Sequence, residues 1–416
     1  MMYSGMNKRV AIITVHECPL ASSEGKERGG INVYTFELSK ALSRLGWQVD
    51  AYTRVQDDVN PRVVIVNDNF RVIHIESGAH TPLSKKEILA TIPEFTQNVA
   101  GYIRQNNLTY DVLHGHYYLS GMVGKALNEM QLTEMPLIMT FHTLGLMKQL
   151  VARSKDTDDP PERIMLERDL VSYATNLITS SETGMEYLAA LYDAPENKII
   201  TIPPGVDTKV FRPIPSTLAK KHINADTHHK IILAVGRIDP VKGFDVLLVS
   251  LKMLLRKYPG YSDRLCLWIV GGDVGQNQNE WSRELKKLDH LRKTLHLSAT
   301  VKFVATQPQE ELPYYYSAAD VLVMPSHYES FGMVALEAIA CGTQVIATDV
   351  TGISPILKEL PQGHIVSANN PLALSEQIRH VLEGTHHPQA STETIRMFDW
   401  DVIAERISKV YTAAAS

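Results

Sequence analysis

Seven residues separate two acids, Glu329 and Glu337, in the stretch His327-Tyr-Glu-Ser-Phe-Gly-Met-Val-Ala-Leu-Glu337. Glu337 falls within an almost wholly apolar run, Met333 to Ala340, closed by Gly342. Such a run predicts a buried helix with a glycine stop. A carboxylate buried there needs a partner. Glu329 precedes the helix beside Ser330 and Gly332. Free N–H groups at a helix start favour anionic or hydroxyl-rich ligands. The stretch is either a loop for a polar ligand or a helix cap with one satisfied core acid, and spacing leaves both open. Two cations, Arg237 and Lys242, flank a strand-to-helix turn upstream. They form a diphosphate clamp or a solvated surface pair. Gly29-Gly30 precedes another helix and admits close approach of a phosphate, or only a tight turn.

Three histidines lie where strands end. Asp111-Val-Leu-His-Gly-His116 places His114 and His116 on one face by alternation, and Pro136 to Phe141 leads into His142. Strand ends are where doubly wound domains build a crevice, so these are functional histidines, capping residues or satisfied core histidines. Beyond Asp111, at the other end of the strand, neither acid nor cysteine accompanies the His114/His116 pair, which disfavours a metal site.

The elements that must position these groups follow an alternating α/β plan. Arg9 to Val15 reads as a strand, and His16 to Gly30 as a loop. A helix follows with Val33, Phe36, Leu38, Leu42 and Leu45 on its buried face, stopped by Gly46. Trp47 to Thr53 and Arg71 to Ile75 read as strands, and His80 to Glu87 as a basic loop. Pro160-Pro-Glu-Arg163 opens a helix. Pro203-Pro-Gly-Val-Asp207 marks a linker. Beyond it the plan restarts: strand 229–236, helix 244–255, strand 265–272, helix 281–297, strand 301–304, helix 312–319, and the acidic stretch. An amphipathic helix from Arg396 closes the chain. The expected domains are residues 1–205 with the terminal helix 396–416, and residues 206–395.

Composition narrows the classes. A chain of 416 residues exceeds one ordinary core. Its 44% hydrophobic and 21% charged content is that of a soluble globular protein. A net charge of -5 gives no reason to expect nucleic acid or an anionic membrane as partner, so any anion site is local. Cys18, Cys266 and Cys341 form no CxxC pair, pointing to a reducing compartment, and no apolar run reaches transmembrane length. With a short polar N-terminus, unlike a signal peptide, the expected location is the cytoplasm. Neither GxGxxG nor GxxxxGK[ST] occurs, which disfavours a nicotinamide enzyme and a P-loop NTPase.

Taken together, Glu329-Ser-Phe-Gly-Met with Glu337, Gly236-Arg237 with Lys242-Gly243, Pro203-Pro-Gly-Val-Asp207 and Gly29-Gly30 resemble the retaining glycosyltransferases of family 4, over essentially the whole chain. The resemblance implies a GT-B fold: two Rossmann-like domains facing a central cleft, with the last helix returning to the first. It implies that the first domain binds the acceptor and the second the nucleotide sugar. On the donor side it assigns Arg237 and Lys242 to the diphosphate, Glu337 to the ribose, and Glu329, Phe331, Gly332 and Met333 to the sugar hydroxyls. Gly29 and Gly30 would approach the β-phosphate, and His142 would stand beside the transferred sugar. His142, Arg237, Lys242 and Glu329 are the expected catalytic group.

Two subfamilies are most similar: sucrose-phosphate synthase and the inositol-phosphate N-acetylglucosaminyltransferase of mycothiol synthesis. Gly29 to Tyr34, Thr140-Phe-His-Thr-Leu-Gly145 and Pro160 to Arg163 resemble the latter, but Leu146 and Gln149 replace its usual Arg and Asn. Both take a phosphorylated acceptor, whose phosphate would meet Lys85, Tyr117, Thr143, Lys148 and Arg163. The resemblance therefore implies transfer of glucose from a nucleotide-glucose, UDP-glucose favoured, to fructose 6-phosphate. The alternatives are UDP-N-acetylglucosamine with inositol phosphate, another family 4 acceptor, an epimerase of the same fold, or a binding protein. No convincing DxD motif occurs, so the sequence requires neither a metal nor any cofactor beyond the nucleotide sugar as co-substrate.

Overall fold

A computed structural model describes residues 8–20, 29–130, 135–151, 159–275, 277–330, 332–350, 352–384 and 389–416. Phe331, one of the expected donor residues, lies outside the described residues. The described residues divide into two compact units, 8–20, 29–205 and 400–416 in one, and those between 206 and 399 in the other.

The first unit holds an eight-stranded sheet. Its strands are β1 (Arg9–Ile13), β2 (Gln48–Arg54), β3 (Val63–Asn67), β4 (Phe70–Ile75), β5 (Val112–His116), β6 (Leu137–Thr140), β7 (Asn176–Thr179) and β8 (Ile199–Thr201). Their order is β3-β4-β2-β1-β5-β6-β7-β8, parallel except for β3. The second unit holds β9 (Lys230–Val235), β10 (Leu265–Val270), β11 (Val301–Val304), β12 (Val321–Met324), β13 (Gln344–Thr348) and β14 (Gly363–Val366), in the order β11-β10-β9-β12-β13-β14. Most central strands are buried along their whole length, as parallel strands covered on both faces must be. In both sheets the strand order reverses beside the first strand: between β1 and β5, and between β9 and β12. Ligands of doubly wound sheets bind beyond the carboxyl ends of the strands at that switch point.

The last helix, Trp400–Ala414, packs on the helix Gly30–Arg44 of the first unit. Arg44 Nε donates to Asp401 at 2.8 Å, and Trp47 Nε1 donates to Ser408 at 2.9 Å. Trp400 lies against Gly205, where a Cβ would come within 2.5 Å of its ring.

Four expectations are corrected, and one strand was not expected. The terminal helix does not begin at Arg396. A short helix, Thr392–Arg396, ends there, and Phe398 O accepts from Val206 N before the chain re-enters a helix at Trp400. His80 to Glu87 is not all loop: the helix Lys85–Gln105 starts within it, capped by Ser84 and Glu87 in a capping box. Leu45 is not on a buried face but caps its helix and is 40% exposed, while Val33 and Phe36 are half-buried. The helix after Pro160-Pro161 starts at Arg163, not within the prolines. β3 is absent from the predicted strands; it is a half-exposed antiparallel edge.

Among the described residues no helix is long and apolar enough to cross a membrane.

Candidate active site

At the switch point of the second sheet, the loops after β9 and β12 lock together. His327 N donates to Val241 O at 2.7 Å. Gly243, at φ +66°, lies so close to the second loop that a Cβ would come within 2.1 Å of Pro325 O. Only glycine fits both that conformation and that approach. The locking brings Lys242 to Glu329, Nζ to Oε2 at 2.7 Å. Arg237, after Gly236 of the same loop, is exposed. The helix Met333–Ala340 starts at Gly332, whose φ of +65° turns the chain into it against Ile353.

Glu337 lies on this helix, 7% exposed, with its Oε2 accepting from Tyr316 OH at 2.6 Å. The carboxylate thus already has a protein partner, which removes the inference that burial alone obliges a ligand. Burial pushes its pKa up to about 7, against the opposing Tyr316 hydrogen bond.

In the first unit, the expected acceptor residues converge on an acid that sequence reasoning missed, Asp159. Its Oδ1 accepts from Lys85 Nζ at 3.0 Å and Tyr117 OH at 3.3 Å. Its Oδ2 accepts from Lys148 Nζ at 2.9 Å and Arg163 Nη1 at 2.8 Å. Arg163 is buried and fully engaged. Its Nε donates to Glu167 at 2.7 Å and its Nη2 to Thr143 O at 2.6 Å and Oγ1 at 3.1 Å. Glu167 is also buried, accepting from Gly145 N and Tyr192 OH. The Tyr117 ring covers the Arg163 guanidinium at 4.8 Å. Tyr117 stands at φ +76°, ψ 157°, a region almost reserved for glycine, and so is held there by its surroundings. Burial works to raise the Asp159 pKa, but Arg163, Lys85 and Lys148 outweigh it and hold the carboxyl well below its usual range. Burial, with Lys148 nearby, lowers that of Lys85. The one available signal for both acids was spacing: each lies four residues from Arg163.

The strand-end histidines are linked. His116 Nδ1 and His142 Nε2 share a hydrogen bond of 2.9 Å, so one ring presents N–H and the other a bare nitrogen. His142 takes φ +62° after β6, and Tyr34 meets its ring edge-on at 5.1 Å. His114 is a core histidine, bonded to Tyr411 OH at 2.6 Å and Thr140 Oγ1 at 2.9 Å. Gly29 caps the following helix, with its N–H donating to Asn32 Oδ1 at 3.1 Å, and Gly30 is that helix's first, exposed residue. Among the described residues no group of His, Cys, Asp and Glu is arranged to hold a metal ion.

Burial keeps these histidines neutral: His114 is lowered to about 3, and His116 and His142 fall well below 6.5, with neighbouring histidines adding to the effect. Unfolded imidazoles take up protons near pH 6.5. Below that pH the unfolded state binds more protons, so stability falls as pH drops. Between pH 7 and 5 the expected loss is about 2 kcal/mol per histidine. Thermal unfolding across this range measures it, and His114→Asn should flatten the slope. A stability independent of pH here would mean that the histidines are solvated.

Residues 28–210 match the model of the Glycosyltransferase Family 4 family, and residues 216–397 that of Glycosyl transferases group 1. The D-inositol 3-phosphate glycosyltransferase of Corynebacterium jeikeium is 34% identical over 415 residues, covering 97% of this chain and 96% of that protein. This chain belongs to glycosyltransferase family 4. The enzyme of the same description from Actinosynnema mirum is also 34% identical, covering 98% of this chain and 97% of its own. Among solved structures, the sucrose-phosphate synthase from Thermosynechococcus elongatus matches with a TM-score of 0.87 and 30% identity, covering 98% of this chain and all of that one. The fold is accordingly GT-B, with the doubly wound sheets above as its two Rossmann-like units. As a family 4 glycosyltransferase, the protein holds one local group in each unit: Lys242 with Glu329 in the second, and the Asp159 cluster in the first.

Proposed function

We propose that this glycosyltransferase moves glucose from UDP-glucose to a sugar phosphate, fructose 6-phosphate first, with retention at the anomeric carbon. The observation that carries the reading is the cluster of Lys85, Tyr117, Lys148 and Arg163 around a single anionic group, with Thr143 bound to Arg163. Three cations and the Tyr117 hydroxyl directed at one anion are the donors that recognition of a phosphate calls for. Arg237 and Lys242 supply positive potential to the leaving diphosphate. Glu329, with Gly332, Met333 and Phe331, reads the donor hydroxyls, and Glu337 the ribose. In the transfer, the bond from the anomeric carbon to the diphosphate breaks on the face where the acceptor oxygen attacks. The departing phosphate oxygen takes the acceptor's proton, and His142 borders the sugar.

The likeness to sucrose-phosphate synthase, and Leu146 and Gln149 in place of Arg and Asn, favour fructose 6-phosphate. The D-inositol 3-phosphate glycosyltransferases at 31–34% identity support a second reading, UDP-N-acetylglucosamine with inositol phosphate. UDP release should be measured with each donor against each acceptor. The first reading expects turnover of UDP-glucose only with fructose 6-phosphate present. Turnover confined to the other pair would replace it with the second, and release with no phosphorylated acceptor would sink both.

A further inference from the structure

The phosphate-like cluster of the first unit is already filled by the protein itself. Asp159 is 10% exposed at its side chain, and its two oxygens receive four donors from four separate parts of the chain: Lys85, Tyr117, Lys148 and Arg163. Lys85, Lys148 and Arg163 against Asp159 and Glu167 leave the group one positive charge. A phosphate dianion added with Asp159 in place would reverse that sign in a largely buried site and set two anions on the same donors. Like charges sharing a site cannot both stay ionised cheaply. With Asp159 withdrawn, the dianion leaves the group neutral. Glu167 cannot be the one that yields, because it is buried and also held by Gly145 N and Tyr192 OH.

We propose that Asp159 is an internal anion that occupies the acceptor-phosphate site and must be displaced by the acceptor's phosphate. It acts as a specificity determinant: a neutral sugar offers the three cations nothing that a carboxylate does not, and so leaves Asp159 in place. This rests on the reading of the cluster as a phosphate site. Asp159 positions and releases the cations; it touches no reacting atom.

The test is binding of inorganic phosphate to the full chain, by calorimetry, in wild type and Asp159→Asn. Removing the competing charge should tighten phosphate binding by roughly tenfold. The KM for the phosphorylated acceptor should fall in the same variant while the donor KM holds. Equal or weaker phosphate binding in Asp159→Asn, or none in either protein, overturns the proposal. Should the variant fail to fold, a phosphate-soaked crystal of the wild type decides. The Asp159 carboxylate is expected out of hydrogen-bond reach of Arg163 and Lys148, and phosphate bound on the cluster with Asp159 still on both contradicts it. The two readings fail separately. Tighter phosphate binding in Asp159→Asn without turnover of any phosphorylated acceptor would keep the displacement and lose the function. Turnover with unchanged phosphate affinity would do the reverse.

Discussion

Replacing Arg163 by methionine should destabilise the first unit by about 3–5 kcal/mol, because it leaves Glu167 charged and buried without its cation. Gly145 N and Tyr192 OH would remain as partners, but both are neutral donors. The guanidinium also fixes Thr143, through its carbonyl and hydroxyl together. Arg163→Lys should be milder in stability and still severe in function. It keeps a charge but loses the planar fork that reaches Glu167, Asp159 and Thr143 at once. Losing charge-assisted hydrogen bonds of this kind should raise the acceptor KM by about 30- to 100-fold. The donor KM should stay within about twofold, since Lys242 and Glu329 belong to the other unit. Urea unfolding and separate acceptor and donor titrations measure the two effects. Equal rises in both constants would remove Arg163 from the acceptor site.

Lys242→Met should lower kcat by about two to three orders of magnitude with acceptor binding intact, the usual cost of removing one preorganised donor to a developing charge. Glu329 is the internal control. Its ion pair with Lys242 at 2.7 Å is largely shielded, 22% and 12% exposed at the two side chains, so the variant should also lose about 1–3 kcal/mol of stability. Single-turnover kinetics at saturating acceptor would show the loss in the chemical step. A rise confined to the donor KM would make Lys242 a ground-state binder rather than a stabiliser of the leaving diphosphate.

Local pattern served well where a short run is closed on both sides by polar or glycine positions. The helix Met333–Ala340 and strand β11, Val301–Val304, have the bounds that their apolar runs and glycine stop predict. Where neighbours decide, pattern failed. The terminal helix is amphipathic through residues 396–411, yet it breaks where Phe398 O must accept from Val206 N, a long-range bond invisible in a local window. Leu45 fits the period of its helix but falls at its end, beyond the packed face. At the site, residue types were legible through their motif, while their partners were not. Tyr316 reaches Glu337 across 21 residues, and Lys242 reaches Glu329 across 87. Asp159 gathers cations from residues 85 to 163 and lies in no motif. Its relation to the cluster exists only once the strand ends and helix starts are in place.

The central claim is that the first unit recognises the phosphate of an acceptor. Its most direct test compares kcat/KM for fructose 6-phosphate with that for fructose, at saturating UDP-glucose. Loss of contacts to three cations predicts a preference for the phosphorylated sugar of about a thousandfold or more. Equal rates with the two sugars would contradict the account.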